Sequence, residues 1–124
     1  MKKEPVCKSI VIDGTEYVQK LVAVPAQHTK GMLFVICRTY SAGVFAGYLK
    51  EQNGKEVVLL GAIRVYYWEG AASLSQLAME GTTKPSGCKF AMPVISVRLT
   101  EVIETLECTE QAFTSITSVK SWKV

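Results

Sequence analysis

Residues suited to acid–base or nucleophilic chemistry are scarce in this sequence of 124 residues, which has one histidine, His28, one aspartate, Asp13, and one asparagine, Asn53. Asp13-Gly14 and Asn53-Gly54 are dipeptides typical of hairpin turns, and His28 lies in a polar segment that we expect to be a loop. A Ser-His-Asp or Cys-His arrangement would have to combine a turn aspartate with a loop histidine. The composition therefore favours a binding protein without catalytic residues over an enzyme.

Closely spaced cysteines are also missing. The four cysteines, Cys7, Cys37, Cys88 and Cys108, are far apart in the chain, and a single histidine cannot complete a zinc site of the usual spacing. Nothing in the sequence indicates secretion, so a disulfide framework is not expected. We expect free, mostly buried thiols, and neither a metal nor another cofactor.

The sequence has no long apolar run. No window approaches the ~18 consecutive apolar residues of a transmembrane helix, and Lys2 and Lys3 are not followed by the apolar stretch of a signal peptide. Nevertheless, 48% of the residues are hydrophobic and 20% are charged, which is enough for a sizeable core. These features predict one cytoplasmic domain over residues 1–124, with no membrane partner.

Arginine is rare among the basic residues. The net charge of +3, from 14 basic and 11 acidic residues, is too small and too scattered to predict nucleic-acid binding. Most basic residues are lysines, whereas the arginines are only Arg38, Arg64 and Arg98. Each arginine lies within or at the end of an apolar run, where its planar, forked side chain can bind a phosphate or a carboxylate. The arginines are thus the first candidates for a binding site.

The hydrophobic pattern predicts a sheet made mostly of consecutive strands. Ser9–Ile12 and Thr15–Val18 are expected to form a hairpin, and the continuous apolar run 32–38 favours a central strand. Short turns join the following runs into a strongly twisted antiparallel meander, which could close towards a small, partly open barrel. The other predicted strands are 44–49, 55–60, 62–68 and 93–99.

Two short helices complete the predicted α+β fold. The first lies within residues 71–80, with Ser73 as N-cap and Gly81 as its end. The second begins after Thr109, which is a typical N-cap. Segment 100–108 fits both a helical spacing and the β-branched composition of a strand, and we favour the strand.

The segment from Arg38 to Gly43 places small residues between two predicted strands. Arg38 and Thr39 would contact a phosphate through their side chains, while Ser41 and Gly43 would let a ligand approach main-chain N–H groups. A tight turn in which Gly43 takes a positive φ is an equally good interpretation.

Arg64 and Tyr66 share one face of a predicted strand and form a cation–π shelf, which suits a flat base beside a phosphate. An exposed sheet face on which Arg64 pairs with a glutamate is the alternative. Trp68 extends this aromatic run, of which at least one member belongs to the core. Phe90 follows the polar loop 82–89, which we expect to be a mobile lid. Phe90 would then close over a bound base, or else begin the next core strand.

Arg98 repeats the pattern of an arginine between apolar residues, with Thr100 on its own face of the strand. Such a face would bind phosphates or ribose hydroxyls, although simple solvent exposure explains it equally well. We expect Arg38, Arg64 and Arg98 to contribute to one anion-binding pocket, within one chain or across a subunit interface.

Five sequence blocks within about residues 30 to 115 resemble a widespread family of small phage and prophage proteins. The blocks are Arg38-Thr39-Tyr40-Ser41-Ala42-Gly43-Val44, Asn53-Gly54-Lys55-Glu56-Val57, Tyr67-Trp68-Glu69-Gly70-Ala71-Ala72-Ser73-Leu74-Ser75-Gln76-Leu77-Ala78, Cys88-Lys89-Phe90 and Leu99-Thr100-Glu101. By this resemblance the chain is identified as a member of the phage Thoeris anti-defence family of signal sponges. One departure is that this chain has Ile63-Arg64 where other members carry two consecutive arginines, so Arg64 must act alone.

The resemblance implies a protein that sequesters a cyclic ADP-ribose isomer made by bacterial TIR enzymes, or a related cyclic nucleotide, without cleaving it. It also implies action in the host cytoplasm during infection, with binding pockets at a homo-oligomer interface. Self-association is expected independently, because aromatic residues point to both faces of segment 66–68. The alternative is a structural or nucleic-acid-associated phage accessory protein with a small-barrel fold, whose DNA binding would be sensitive to salt.

Overall fold

The computed structural model describes residues 9–12, 15–18, 27–28 and 31–124, with side chains described from residue 31 onward. These residues form the predicted α+β fold, with antiparallel strands and two helices. The strands are β1 (Ser9–Ile12), β2 (Thr15–Val18), β3 (Gln27–His28), β4 (Met32–Thr39), β5 (Val44–Asn53), β6 (Glu56–Tyr67), β7 (Lys89–Phe90), β8 (Val94–Leu99) and β9 (Val102–Glu107). The helices are α1 (Leu74–Glu80) and α2 (Glu110–Thr117).

β1 and β2 form the predicted hairpin as a two-stranded sheet of their own. The turn dipeptide Asp13-Gly14 lies outside the described residues, as does the extended segment expected over residues 19–25. The expectation of a loop at His28 is wrong, because the main chain of β3 pairs with the start of β4, with His28 opposite Met32.

The main sheet is built on a meander of β4, β5 and β6. Two further strands pair with the outer edge of β4, and two pair with the outer edge of β6. β3 and β9 pair with β4, and β7 and β8 pair with β6. All of these pairings are antiparallel. The predicted meander is confirmed, and segment 100–108 contains the strand β9 that its composition favours.

β6 is a single strand of 12 residues, whereas the sequence predicts two strands separated at Gly61. Gly61 has a φ of +56°, and the pairing with β5 changes register there, from Tyr48 opposite Leu60 to Ala46 opposite Ile63. A left-handed glycine at such a register change is typical of a β-bulge, which bends a strand without ending it. The predicted break is therefore wrong, because the glycine bends the strand and does not reverse it.

Both faces of the sheet are buried, but against different partners. One face, which we name the helix face, packs against residues of α1 and α2, including Leu77 and Ile116. The other face, which we name the inner face, packs mainly against other strands of the same sheet. The buried strand residues of the helix face are Phe34, Ile36, Ala46, Ile63, Val65 and Phe90. The buried residues of the inner face are Val35, Cys37, Phe45, Val57, Leu59, Ala62, Leu99 and Val102.

The inner face is buried because the sheet curls onto itself. Val57, near the tip of the β5–β6 hairpin, shares a core cluster with Cys37 of β4, which is two strands away. The N–H of Val102 donates to the carbonyl of Lys55 in the same hairpin, at 3.0 Å. The sheet nevertheless stays open and does not close into the barrel that the sequence allowed.

Both helices begin at the predicted N-caps. The Ser73 hydroxyl accepts from the N–H of Gln76 at 3.1 Å, and the Thr109 hydroxyl accepts from the N–H of Ala112 at 3.0 Å. α1 ends at Gly81, whose φ of +81° favours glycine. Among the described residues, neither helix is long and apolar enough to cross a membrane.

Candidate functional site

The connection between β4 and β5 is a turn organised by Thr39. The Thr39 hydroxyl donates to the carbonyl of Gly43 and accepts from the N–H of Ala42, both at 2.8 Å. Thr39 is buried, and Gly43 has a φ of +99°. Ser41 donates to the carboxylate of Glu101 at 3.4 Å. The tight-turn interpretation therefore accounts for this segment, and the Thr39 hydroxyl is engaged within the turn.

Arg38 and Arg98 are both paired with carboxylates from other strands. Nε of Arg38 donates to Oε1 of Glu104 at 2.9 Å. Nη1 of Arg98 lies 4.0 Å from Oε2 of Glu51 and 3.9 Å from Oε1 of Glu56. These exposed ion pairs add little stability, but they weaken the attraction that either arginine exerts on an anionic ligand.

The three arginines do not meet in one pocket of the chain. Arg38 is opposite Val44, and Arg64 is opposite Phe45. Adjacent strand residues point to opposite faces, so Arg38 lies on the helix face and Arg64 on the inner face. Arg98 is opposite Val58, far along β6 from Arg64, and the exposed Thr100 follows it in the connection to β9. A pocket that holds all three arginines would need more than one chain.

Arg64 differs from the other two, because no residue in the described part of the chain gives it a carboxylate partner. Its Nη1 donates to the carbonyl of Ala42 at 2.9 Å. Its guanidinium carbon lies 4.5 Å from the centre of the Phe45 ring. These two neutral contacts orient the guanidinium without neutralising it, and most of its five N–H donors are left for an anion.

Tyr66 follows Arg64 by two residues in β6, and its ring stacks on Trp122 from the C-terminal segment. The ring centres are 5.3 Å apart and the ring planes differ by 14°. Nζ of Lys89 lies 5.3 Å from the centre of the Trp122 ring, and the N–H of Trp122 donates to the carbonyl of Phe90 at 2.8 Å. We name the four exposed side chains together the aromatic–cationic surface: Arg64, Tyr66, Lys89 and Trp122.

The sequence predicts Arg64 and Tyr66 of this surface but misses Lys89 and Trp122 as site residues. From the sequence, Trp122 is expected to pack across the sheet or into a partner chain, and in the structure it packs on Tyr66 of the sheet. A single tryptophan in an otherwise polar tail is the signal that could have placed it in the site. No local signal distinguishes Lys89 from the other lysines.

Trp68 and Phe90 belong to the core and not to an exposed site. Phe90 is only 2% exposed and pairs across the sheet with Val65 of the helix-face core. Trp68 packs against the same core, and its indole N–H donates to the carbonyl of Ala71 at 3.2 Å. Of the two interpretations of Phe90, the core strand is confirmed, and closure over a bound base is wrong because core side chains already cover its ring.

The loop 82–89, expected to be a mobile lid, is tied to two other parts of the chain. The Thr82 hydroxyl donates to the carbonyl of Glu69, and the N–H of Thr82 donates to the Ser115 hydroxyl at 2.9 Å. The N–H of Thr83 donates to the carbonyl of Gly70 at 3.1 Å. A 3₁₀ turn, Pro85–Gly87, follows. The loop has few apolar side chains to anchor it, but these hydrogen bonds hold it in place. They indicate a structural loop and not a mobile lid.

The cysteines in the described part of the chain, Cys37, Cys88 and Cys108, are buried free thiols, as expected. Burial raises the pKa of Cys37, against a smaller lowering by its contact with Thr105. Burial, with a further contribution from Cys37, raises the pKa of Cys108 to about 12. The thiolate is the reactive form of cysteine, so Cys37 and Cys108 are inert at neutral pH.

We expect iodoacetamide at pH 7.5 to leave Cys37 and Cys108 unmodified in the folded protein. The same reagent should modify both thiols in concentrated guanidinium chloride, where burial no longer raises their pKa. Peptide mass spectrometry of the two samples measures this directly. Fast modification of Cys108 under native conditions would contradict the prediction.

A family described as a domain of unknown function, DUF6948, matches residues 32–116 of the chain. The match begins at the first residue of β4 and ends within α2. Arg64, Tyr66 and Lys89 lie inside the matched region, whereas Trp122 follows it. No curated protein and no solved structure matches the chain.

Proposed function

We propose that this chain, which belongs to the DUF6948 family, is a non-enzymatic protein that binds a nucleotide ligand on its aromatic–cationic surface and sequesters it. The ligand is a cyclic ADP-ribose isomer or a related cyclic nucleotide, and it is held without cleavage. In this proposal the protein is made by a phage, acts in the cytoplasm of the infected cell and withdraws the signal of a TIR immune enzyme.

The observation that carries the proposal is an arginine that has no carboxylate partner among the described residues, two positions along β6 from Tyr66, whose ring is stacked on Trp122. Arg64 offers several N–H donors to a phosphate, in bonds of about 1.5–3 kcal/mol each. Tyr66 and Trp122 offer ring faces to a base, and such stacking contributes about 1–3 kcal/mol per base. Lys89 adds a second positive charge next to Trp122. A nucleotide is the ligand class that uses both kinds of contact at once.

Sequestration without reaction suits the side chains of this surface. Within the described residues, the hydrogen bond of Arg64 and the ring contacts of Tyr66, Lys89 and Trp122 involve no carboxylate, histidine or thiol that would activate a nucleophile. The buried thiols Cys37 and Cys108 keep their protons at neutral pH, because their pKa is raised. The sequence resemblance to signal sponges supports the choice of a cyclic ADP-ribose isomer within the nucleotide class.

Binding of single-stranded nucleic acid is the second candidate function, and the openness of the surface favours it. Tyr66 and Trp122 are each at least half exposed. An extended strand could therefore stack bases on them as readily as a small molecule could. In that case, affinity for an oligonucleotide should fall steeply as salt rises, because bound phosphates release counterions.

The test of the proposed function is ligand uptake by the full chain. The protein is incubated with a panel of cyclic ADP-ribose isomers and cyclic nucleotides, separated from free ligand and then heat-denatured. Recovery of the intact ligand supports sequestration, whereas recovery of an altered ligand indicates an enzyme. No uptake, together with salt-sensitive retention of a labelled oligonucleotide, would overturn the proposal in favour of nucleic-acid binding.

Arg64→Ala is expected to weaken binding of a nucleotide identified in this way by about 10- to 150-fold, which corresponds to the ~1.5–3 kcal/mol of a charge-assisted hydrogen bond. Arg64→Lys should restore only part of the affinity, since lysine lacks the planar fork. Isothermal titration calorimetry measures both variants against the unmodified protein.

Arg98→Ala is the matched control for Arg64→Ala. This variant also removes an exposed arginine side chain, but at a position where Glu51 and Glu56 already balance the charge. The affinity of the Arg98→Ala protein for the nucleotide should equal that of the unmodified protein. Equal losses in the two variants would mean that binding depends on total charge and not on the aromatic–cationic surface.

A further inference from the structure

Strand β8 is paired on only one side in the described part of the chain. Its pairing partner is β6, from Val57 opposite Leu99 to Ala62 opposite Val94. Along the other side of β8, no strand among the described residues pairs with its alternate N–H and C=O groups. An unpaired strand edge is a template for another strand.

The same strand carries an unusual amount of exposed apolar surface. Ile95 is 91% exposed, and Val94 and the preceding Met92 are exposed as well. Ile95 falls between the pairs Val94–Ala62 and Ser96–Leu60, so it lies beside Gly61, which has no side chain to cover it. An exposed apolar edge strand without a partner is a liability in solution, and this one has no charged residue among residues 92–97.

We infer that β8 is a dimer interface, at which two copies of this chain pair their β8 strands antiparallel across a two-fold axis near Ser96. Pro93 has no N–H and limits the pairing at one end, and the connection to β9 follows Leu99 at the other end. Within these limits, we choose the register that pairs residues 94–98 of each copy, with Ser96 at their centre. The two sheets would become continuous through this contact.

The composition of β8 suits a second copy of itself better than a charged partner. In the two-fold register, Ile95 faces Val97 of the other copy, and Arg98 faces Val94, so like charges do not meet. Arg98 is also balanced within its own chain by Glu51 and Glu56, so the incoming strand needs no carboxylate. A β-branched strand whose one charge is already balanced fits these requirements, and β8 is such a strand. The interface is isologous, which is the commonest arrangement in soluble oligomers.

β9, another outer strand, differs from β8 in its charge. Among the described strands it pairs with β4 alone, but it carries Glu104 and Glu107 and follows Glu101. Charged side chains on an edge strand oppose the addition of a further strand. Of β8 and β9, β8 is therefore the strand that is open to association.

The test is the oligomeric state of the full chain, measured by sedimentation equilibrium from 1 to 200 µM. The unmodified protein is expected to reach twice the 13.6 kDa of one chain.

Ile95→Lys should weaken the dimer at least tenfold, because it places a charge at the centre of the interface. Ile103→Lys on β9 is the matched control, since Ile103 is also exposed, at 49%, and this variant should dimerise as well as the unmodified protein. These measurements need no ligand, so their outcome is independent of the proposed nucleotide binding.

A crosslink fixes the register and serves as a second measurement if Ile95→Lys does not fold. In a Cys7→Ser background, Ser96→Cys should form a disulfide-linked dimer under mild oxidation, because cross-strand neighbours at a two-fold axis bring their Cβ atoms within about 5.5 Å. Thr100→Cys, beyond the end of β8, should remain monomeric on a non-reducing gel. A protein that is monomeric throughout, or a dimer that survives Ile95→Lys but is lost in Ile103→Lys, would overturn the inference.

Discussion

Phe90→Ala is expected to lower the free energy of unfolding by about 3–5 kcal/mol, the usual cost of removing a fully buried ring. Phe90 is 2% exposed and lies in the helix-face core. Its main chain is also pinned on both sides, by the pairing with Val65 and by the N–H of Trp122. The cavity left by the ring cannot be filled without shifting β7 and the C-terminal segment.

Chemical denaturation of the unmodified and Phe90→Ala proteins measures this loss. Tyr40→Ala is the control, because Tyr40 is 77% exposed and its ring leaves no cavity. This control should change stability by less than about 0.5 kcal/mol, as most surface substitutions do. A Phe90→Ala protein of normal stability would contradict the assignment of Phe90 to the core.

Much of the fold could be predicted because its signals are local. Ser73 and Thr109 are capping residues followed by helical sequence, and their side chains make the expected bonds. The hairpin of β1 and β2 and the meander of β4 to β6 follow from turn dipeptides, or for β4 and β5 from a short segment of small and polar residues, between apolar runs. In each case the residues that decide the structure are within a few positions of one another.

The prediction failed at Gly61 because the sequence there allows two structures. A glycine between two apolar runs is compatible with a turn or with a bulge. The choice depends on β5, whose Ala46 and Tyr48 set the register on either side of the bulge. The curl of the sheet depends on the same bend and on the contact between Lys55 and Val102, neither of which leaves a local pattern.

The candidate site was harder to predict because its electrostatics depend on distant residues. Arg38 and Arg64 have similar sequence surroundings, yet Arg38 meets Glu104, which is 66 positions away. In the part of the chain that the structure describes, Arg64 contacts neutral groups, the carbonyl of Ala42 and the ring of Phe45. Trp122 reaches Tyr66 from the end of the chain. The sequence therefore supplies the residue types of a nucleotide site, and the packing decides which of them share a surface.

Tertiary packing also holds the loop 82–89 against Gly70, which lies on the other side of α1 in the sequence. Gly70 has a φ of +85°, and its carbonyl accepts bonds from the N–H and the hydroxyl of Thr83. A Cβ built on Gly70 would lie 2.6 Å from the nitrogen of Thr83, and it would also collide with the nitrogen of Lys84 and the hydroxyl of Thr82. The loop 82–89 can therefore dock only on a residue without a side chain.

Gly70→Ala is expected to destabilise the fold by about 2–5 kcal/mol. About 1–2 kcal/mol arises from placing an L-residue at positive φ, and about 1–3 kcal/mol arises from overpacking against the loop backbone. Gly43→Ala isolates the first contribution, because Gly43 also has a positive φ, +99°, but no atom lies within 4 Å of its added Cβ. The free energy of unfolding of the Gly43→Ala protein should therefore fall by only about 1–2 kcal/mol.

Urea unfolding of the two variants side by side measures the difference. Hydrogen exchange should show that residues 82–88 lose protection in the Gly70→Ala protein alone. Equal stabilities of the two variants would mean that the loop yields to the new methyl group, and that its docking on Gly70 contributes little to the fold.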